Sequence, residues 1–407
     1  MNTQAGGRVT DTSRQPLAAN PADKPTVLMA ALAAAAIGAL MYNVLPLYLG
    51  AIEVGKSLAS SQTGLIGTAF FLGFNIAGIS AFAWIRRYSW RTVSLVSIPI
   101  LLGMLFLCVH WNTFRLLLLV TVACGVAFGA IYTIGSVIIG DTSRPERWYG
   151  FKVGLESAAG AGLMLVLPFT PLVDQGLSGL TVAVAIVVAI LAPCLLMLPR
   201  AWQKDDSMAS GEHAAQGGSN YRQPVNRVAI GAAVLSLLCL FASVSAIWAF
   251  AERIGSLSGY DQSSIDTLLA ATLVCGIGGS LLVAAVGGRF SAVLGFEFSL
   301  ALIVLALGAL SVTGDFTFYA LGNCLYMFAW AAATPCAMAK ISRLDHDGRY
   351  VSLLAPAIGI GGMLGPGVAG WLFEVSSLFA VLTYVAIVIV ISSGLMLVAS
   401  RAGRKLA

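Results

Sequence analysis

Charge is what this sequence most lacks. Asp and Glu number 18 and Lys and Arg 23 among 407 residues, one-tenth of the chain. Soluble domains carry roughly a quarter, so most of this chain cannot face water. Histidine is scarcer still. His110, His213 and His346 lie at or beyond the ends of apolar runs, which argues against a histidine-based catalytic core. All seven cysteines sit inside apolar runs, none in a CxxC and none with a histidine at ligand spacing. Zinc and redox chemistry therefore have little support. No GxxxxGK[ST] stretch occurs, which excludes ATP hydrolysis through a P-loop. No basic region interleaved with aromatics occurs either, which argues against a nucleic-acid partner. No nucleophile–base pair recurs at one depth, so the expectation is a non-enzyme with neither metal nor cofactor.

What the chain has is hydrophobic runs. A helix needs roughly twenty apolar residues to cross a bilayer. Twelve candidates run at about 27–51, 62–85, 93–110, 114–139, 151–172, 177–199, 227–251, 266–287, 291–311, 316–340, 350–374 and 378–400. The first is too long for a signal-peptide core and ends in no convincing cleavage site. With the amino terminus placed in the cytoplasm, only Lys56, Arg115 and Arg253 of the 23 basic residues fall outside. That bias obeys the positive-inside rule and puts both termini in the cytoplasm. On this reading Gly140–Gly150 is a cytoplasmic loop, and Lys152 counts with its basic residues.

Residues 200–226, rich in Gly, Ser, Gln and charge, read as a flexible linker. The expected organisation is a polar tail (1–24), a first six-helix bundle (25–199), the linker, a second bundle (227–400) and a short tail (401–407). The halves echo one another. At an offset of 199, Ser143-Arg144 falls on Ser342-Arg343, and Gly160, Gly162, Met164 and Leu165 fall on Gly359, Gly361, Met363 and Leu364. Glu53, Ser57 and Leu58 fall on Glu252, Ser256 and Leu257 at the same offset.

Twelve spans, a central linker, parallel halves and Arg-bearing loops after the second and eighth spans resemble the major facilitator superfamily over essentially the whole chain. That family's second-span motif, GxLaDrxGrk, survives in part as "FAWIRRYSWR": Arg87 and Arg91 keep the basic spacing, but Arg86 stands at the Asp position and Ser89 at the second Gly. The second half offers only "AAVGGRFSA". The drug-antiporter Gly/Pro run, normally in the fifth span, is absent there; "GGMLGPGVAG" lies in the eleventh. The resemblance implies an all-α polytopic membrane protein, a monomer of two pseudo-symmetric six-helix bundles. It would work by alternating access, with proton coupling and a bacterial inner-membrane location.

Candidate residues follow. An ionisable residue inside a span is costly and marks function by default. Glu156, Glu252 and Glu297 are candidates for proton coupling. Glu156 also fits a plain i,i+4 pair with Lys152 that reaches back to the surface. Glu297 also fits a structural partnership on a peripheral span, and Glu252 an interfacial carboxylate. Tyr42, Asn43, Asn75, Tyr132, Trp248, Asn323, Tyr326 and Trp330 are candidates for solute contact on spans that line the pathway in the family; each also fits an interhelical hydrogen bond. Arg87, Arg91, Asp141, Arg144, Arg147, Arg343 and Arg349 are candidates for a cytoplasmic gate, or else solvated charges that set orientation. The expected activity is secondary transport of a small organic solute, with uptake, efflux of a hydrophobic compound and a non-transporting assembly role as competing readings.

Overall fold

The computed structural model describes residues 20–200, 226–312 and 314–404. The expected tail up to residue 19, the linker core 201–225 and residues 405–407 lie outside the described residues. Among the described residues, twelve helices are long and apolar enough to cross a bilayer, one for each expected run. They are α1 (Pro25–Lys56), α2 (Ser60–Trp84), α3 (Trp90–His110), α4 (Phe114–Gly140), α5 (Pro145–Val166) and α6 (Gly176–Leu191). The second set is α7 (Arg227–Trp248), α8 (Gln262–Val286), α9 (Ala292–Leu310), α10 (Phe316–Leu344), α11 (Leu354–Val375) and α12 (Leu378–Arg404). A seven-residue helix, Ala251–Leu257, continues α7 beyond a break. Glu252 falls there, and its side chain lies outside the described residues.

One boundary moves with consequence. α5 starts at Pro145, not near residue 151. Proline suits the first helical turn, where its missing N–H has no partner to lose. Glu146 beside it faces the positive end of the helix dipole. The loop therefore shrinks to Asp141–Arg144, and Glu146, Arg147, Lys152 and Glu156 all ride on one helix. Lys152, expected at the start of the fifth run with its charge reaching back to the surface, is instead fully buried. α10 likewise runs on to Leu344 and carries Arg343 in its last turn.

The packing repeats between bundles. α1 contacts α4, α5 and α6, and α7 contacts α10, α11 and α12. α2 lies on α4 as α8 lies on α10. The bundles meet along two seams, α5 against α8 and α2 against α11. Without a hydrophobic driving force between helices in lipid, close packing of small residues supplies much of the attraction. A Cβ on Gly73 of α2 would sit 2.0 Å from the Val122 carbonyl of α4, and one on Gly125 would sit 2.1 Å from the Phe70 carbonyl. In the second bundle Gly279 of α8 stands equally close, 2.1 Å, to the Phe328 carbonyl of α10. Backbones in such contact leave no room for a side chain.

Overpacking costs roughly 1–3 kcal/mol or more. Gly73→Leu and Gly279→Leu should each lower the heat-unfolding midpoint in detergent. Gly103→Leu, whose Cβ would meet nothing within 4 Å, should leave it unchanged; equal midpoints for all three would show that these contacts do not hold the bundles.

Candidate functional site

Between the bundles lies a cavity of about 1450 Å³. Its outer wall includes Val54 and Lys56 at the end of α1, Asp174 and Gln175 before α6, and Trp248 at the end of α7. It thus opens at the face where α1 and α7 end, opposite the face where they begin. The inner wall is asymmetric. The first bundle contributes Tyr42, Asn43 and Ser157, and the second contributes Phe241, Ser245 and Trp330. Trp330 meets Phe241 edge-on at 5.7 Å. Its indole N–H has no acceptor among the described residues.

A buried ion pair underlies the first-bundle wall. Lys152 Nζ lies 2.6 Å from Glu156 Oε1, with side chains 0% and 4% exposed. The ammonium also donates to the Tyr132 hydroxyl at 2.8 Å and rests 4.1 Å from the centre of the Tyr132 ring. Tyr42 donates to Glu156 Oε2 at 3.2 Å, and Asn43 Nδ2 donates to the Glu156 carbonyl at 3.1 Å. Tyr42 and Asn43 therefore face the cavity on one side and Glu156 on the other. The i,i+4 pair exists as the spacing allows, but it does not reach the surface.

The opposite, arginine-rich face is closed. Arg86 grips Asp141 through two bonds, Nη1 to Oδ2 at 2.6 Å and Nη2 to Oδ1 at 2.9 Å, with both side chains 3% exposed. Its Nε donates to the Gly348 carbonyl in the second bundle at 2.9 Å, and Trp90 covers the guanidinium at 5.6 Å. Gly348 has φ +65°, and a Cβ there would fall 2.0 Å from Arg86 Nη2. Only glycine tolerates both demands. Nearby, Glu146 pairs with Arg343 at 2.6 Å, and the Ser342 hydroxyl donates to the Gly140 carbonyl at 2.5 Å. Three links thus cross between the bundles at this face.

The candidate residues divide accordingly. Tyr42, Asn43, Trp248 and Trp330 line the cavity, and Tyr132 lies one layer behind, bonded to Lys152. Asn75 stands in the α2–α11 seam, where a Cβ on Gly359 would meet its Oδ1 at 2.1 Å. Asn323 donates to the Tyr319 carbonyl of its own helix at 2.9 Å. Tyr326 is buried against Ser243 of α7 at 3.4 Å. Glu297 accepts from Ser393 of α12 at 2.5 Å, outside the cavity wall. At the closed face Asp141 and Arg343 are joined in ion pairs, while Arg87 and Arg144 are exposed. Arg91 bonds the Leu196 carbonyl, Arg147 lies over the Trp148 and Phe151 rings, and Arg349 is half-buried. Sequence reasoning did not assign roles to Arg86 or Gly348, and it gave Lys152 only a pairing with Glu156 that reached the surface. A signal for Arg86 was present: a base stood where the loop motif has an acid, and an acid, Asp141, ended the fourth span.

A family model, Major Facilitator Superfamily, matches residues 26–345. The chain belongs to that superfamily. Among solved structures, the superfamily transporter FucP in the outward conformation is similar at 17% identity, covering 94% of this chain and 99% of that one with a TM-score of 0.70. The human organic anion transporter MFSD10 is similar at 15% identity, covering 94% and 100%, TM-score 0.71. The proton:xylose symporter XylE is similar at 11% identity, covering 91% and 94%, TM-score 0.65. No curated protein sequence matches. At such identities these likenesses show the major facilitator fold and not a shared solute.

Removing one partner of a buried ion pair costs roughly 3–5 kcal/mol, whereas replacing both with apolar groups is often neutral. Lys152→Met alone should therefore lower the unfolding midpoint sharply, and Lys152→Met with Glu156→Met should restore most of it. A double variant as unstable as the sum of the singles would contradict the pairing.

Proposed function

We propose that the protein is a monomeric secondary transporter that moves a small organic solute by alternating access, coupled to proton entry. The observation that carries this reading is a cavity between two bundles, open at one face and sealed at the other by Arg86–Gly348, Glu146–Arg343 and Ser342–Gly140. The positive-inside bias assigns the sealed, arginine-rich face and both termini to the cytoplasm, in a bacterial inner membrane. The state is then outward-open. The solute would settle between Tyr42 and Asn43 on one side and Trp248 and Trp330 on the other, a midplane position at the interface of repeats. Glu156 accepts a hydrogen bond from Tyr42, which lines this place, and it is the reading's proton site. The similar transporters FucP, a fucose:proton symporter, and XylE, a proton:xylose symporter, support coupling to protons.

Efflux is the second reading, favoured by the apolar outer wall of Leu45, Leu47, Leu49, Val54 and Val109. Direction separates the two. In liposomes containing the purified protein, a screen of radiolabelled organic solutes should find one that enters several-fold faster when the outside is acidic. Glu156→Gln should abolish that acceleration. Extrusion under the same gradient would replace uptake with efflux, and a screen in which nothing moves either way would remove the transport reading.

The gate has its own test. In a cysteine-free background, Ser342→Cys should resist a membrane-impermeant maleimide applied from the cytoplasmic side. Adding Gly348→Ala should raise its labelling rate about tenfold or more, since loss of about 1.4 kcal/mol of closure shifts the equilibrium tenfold. Unchanged labelling would show that Gly348 does not hold the gate.

A further inference from the structure

The Lys152–Glu156 pair is isolated to an unusual degree. The helices packed around it are α1, α4, α8 and α10. Their facing stretches, 25–52, 116–140, 267–286 and 316–339, contain no Asp, Glu, Lys, Arg or His. The titratable side chains on those stretches are tyrosines and cysteines only. Tyr42 comes from α1 and Tyr132 from α4, while α8 presents Ser280 against Gly154 of α5. On α5 itself Tyr149 turns away, its hydroxyl donating to the Ser136 carbonyl at 2.9 Å. Among the described residues, Glu156 is the one counter-charge Lys152 has.

That isolation sets a condition on what the adjoining cavity can bind. As long as Glu156 is ionised, the pair is neutral. Once Glu156 takes a proton, Lys152 is left as a bare ammonium beneath the cavity wall, and the facing stretches of α1, α4, α8 and α10 hold no other acid to compensate. An uncompensated buried charge costs several kcal/mol. A negative charge arriving from the cavity would remove that cost. Conversely, an anion that arrived without a proton would stand beside an ionised Glu156 and leave the region negative. Proton and anion are each unfavourable alone and favourable together.

We propose, resting on the transport reading above, that the solute is an amphipathic monocarboxylate whose carboxylate becomes the counter-charge of Lys152 when Glu156 is protonated. The charges balance at each stage. The empty site holds Lys152⁺ and Glu156⁻. The loaded site holds Lys152⁺, neutral Glu156 and the solute carboxylate, and no covalent bond changes. Tyr42 is placed to serve both states, because its ring lines the cavity and its hydroxyl already donates to Glu156 at 3.2 Å. In the loaded state that hydroxyl turns to the solute carboxylate. Trp248, Trp330 and Phe241 across the cavity offer the apolar surface that an aromatic or aliphatic body needs, and among the described residues the cavity's lining carries charges only at its mouth, Lys56 and Asp174. Transport by this scheme carries one proton with one monoanion and moves no net charge.

Phenylacetate and its uncharged isostere phenylacetamide, extended to a small panel of aromatic and aliphatic acids with their amides, provide the probe. Binding to the purified full-length protein is followed by tryptophan fluorescence. Proton uptake is measured by titration calorimetry in buffers of different ionisation heat. The proposal expects an acid to bind with uptake of one proton and to weaken by about tenfold for each pH unit above the protonation range, as linkage requires. The matching amide should bind weakly, take up no proton and show no pH dependence. Glu156→Gln should bind the acid without proton uptake or pH dependence, and the acid should raise its unfolding midpoint more than the wild type's. Lys152→Gln should lose the acid's affinity by tenfold or more and leave the amide's unchanged. Should either variant fail to fold, the acid–amide comparison and the proton count on the wild type still decide. Amides binding as well as acids, proton uptake persisting in Glu156→Gln, or no acid of the panel binding would each overturn the proposal. Proton-driven uptake of a neutral solute in liposomes would overturn it while leaving the transport reading intact.

Discussion

Arg86 has five donors in a rigid plane, and the structure uses three of their directions. Two meet both oxygens of Asp141 at the end of α4 and one meets the Gly348 carbonyl. Lysine, a point charge with no fork, could not hold both partners in this geometry. The division of labour matters for a gate. Arg86 and Asp141 belong to the same bundle, so their buried pair stays whole when the bundles part. The bond to Gly348 is the one of these three that crosses between the bundles and breaks. A hydrogen bond to a charged group is worth roughly 1.5–3 kcal/mol, whereas stranding one member of a buried pair costs roughly 3–5 kcal/mol. A closure built this way opens without exposing a naked buried charge.

The second cross-bundle link obeys the same logic by another route. Glu146 is 3% exposed but its partner Arg343 is 55% exposed. When they separate, Arg343 passes to water at little cost, and the carboxylate is uncovered as the face opens. Partly exposed pairs are weak holders, which is what a contact that must be broken in every cycle requires. Of the three ion pairs named here, the two with both members buried, Arg86–Asp141 and Lys152–Glu156, each lie within one bundle, whereas the one that crosses, Glu146–Arg343, has an exposed member.

The spans were legible because length and hydrophobicity alone decide which segments can cross a bilayer. The placement of α5's start was not, since six charges in Gly140–Ser157 look like a solvated loop until Pro145 and Glu146 are weighed as a helix beginning. The error left Lys152 at the edge of the expected run, counted with the surface charges, when it lies fully buried. Helical spacing fixed a common face for Asn323, Tyr326 and Trp330 but could not say which neighbour that face meets. Only Trp330 reaches the cavity, because the two positions nearer the outer end turn to Tyr319's carbonyl and to Ser243. Asn75 shows the same limit, being central on α2 yet taken up by the seam with α11. Depth is written in one helix, whereas a shared cavity is a property of several.

The crowding of charge on α5 then has a mechanical sense. Glu146 faces the gate, Lys152 and Glu156 form the buried pair, and Ser157 lines the cavity, all on one helix. From Glu146 to Ser157 is roughly 16 Å at 1.5 Å per residue. A rigid helix of that length cannot shift at one end and stay still at the other. If α5 rocks against α8 and α10, it strains Glu146–Arg343 at the closed face in the same movement that carries Glu156 and Ser157 relative to Trp330. On the proposed function, protonation and solute binding at the cavity would reach the closed face through a single continuous element, with no relay of intermediate side chains needed.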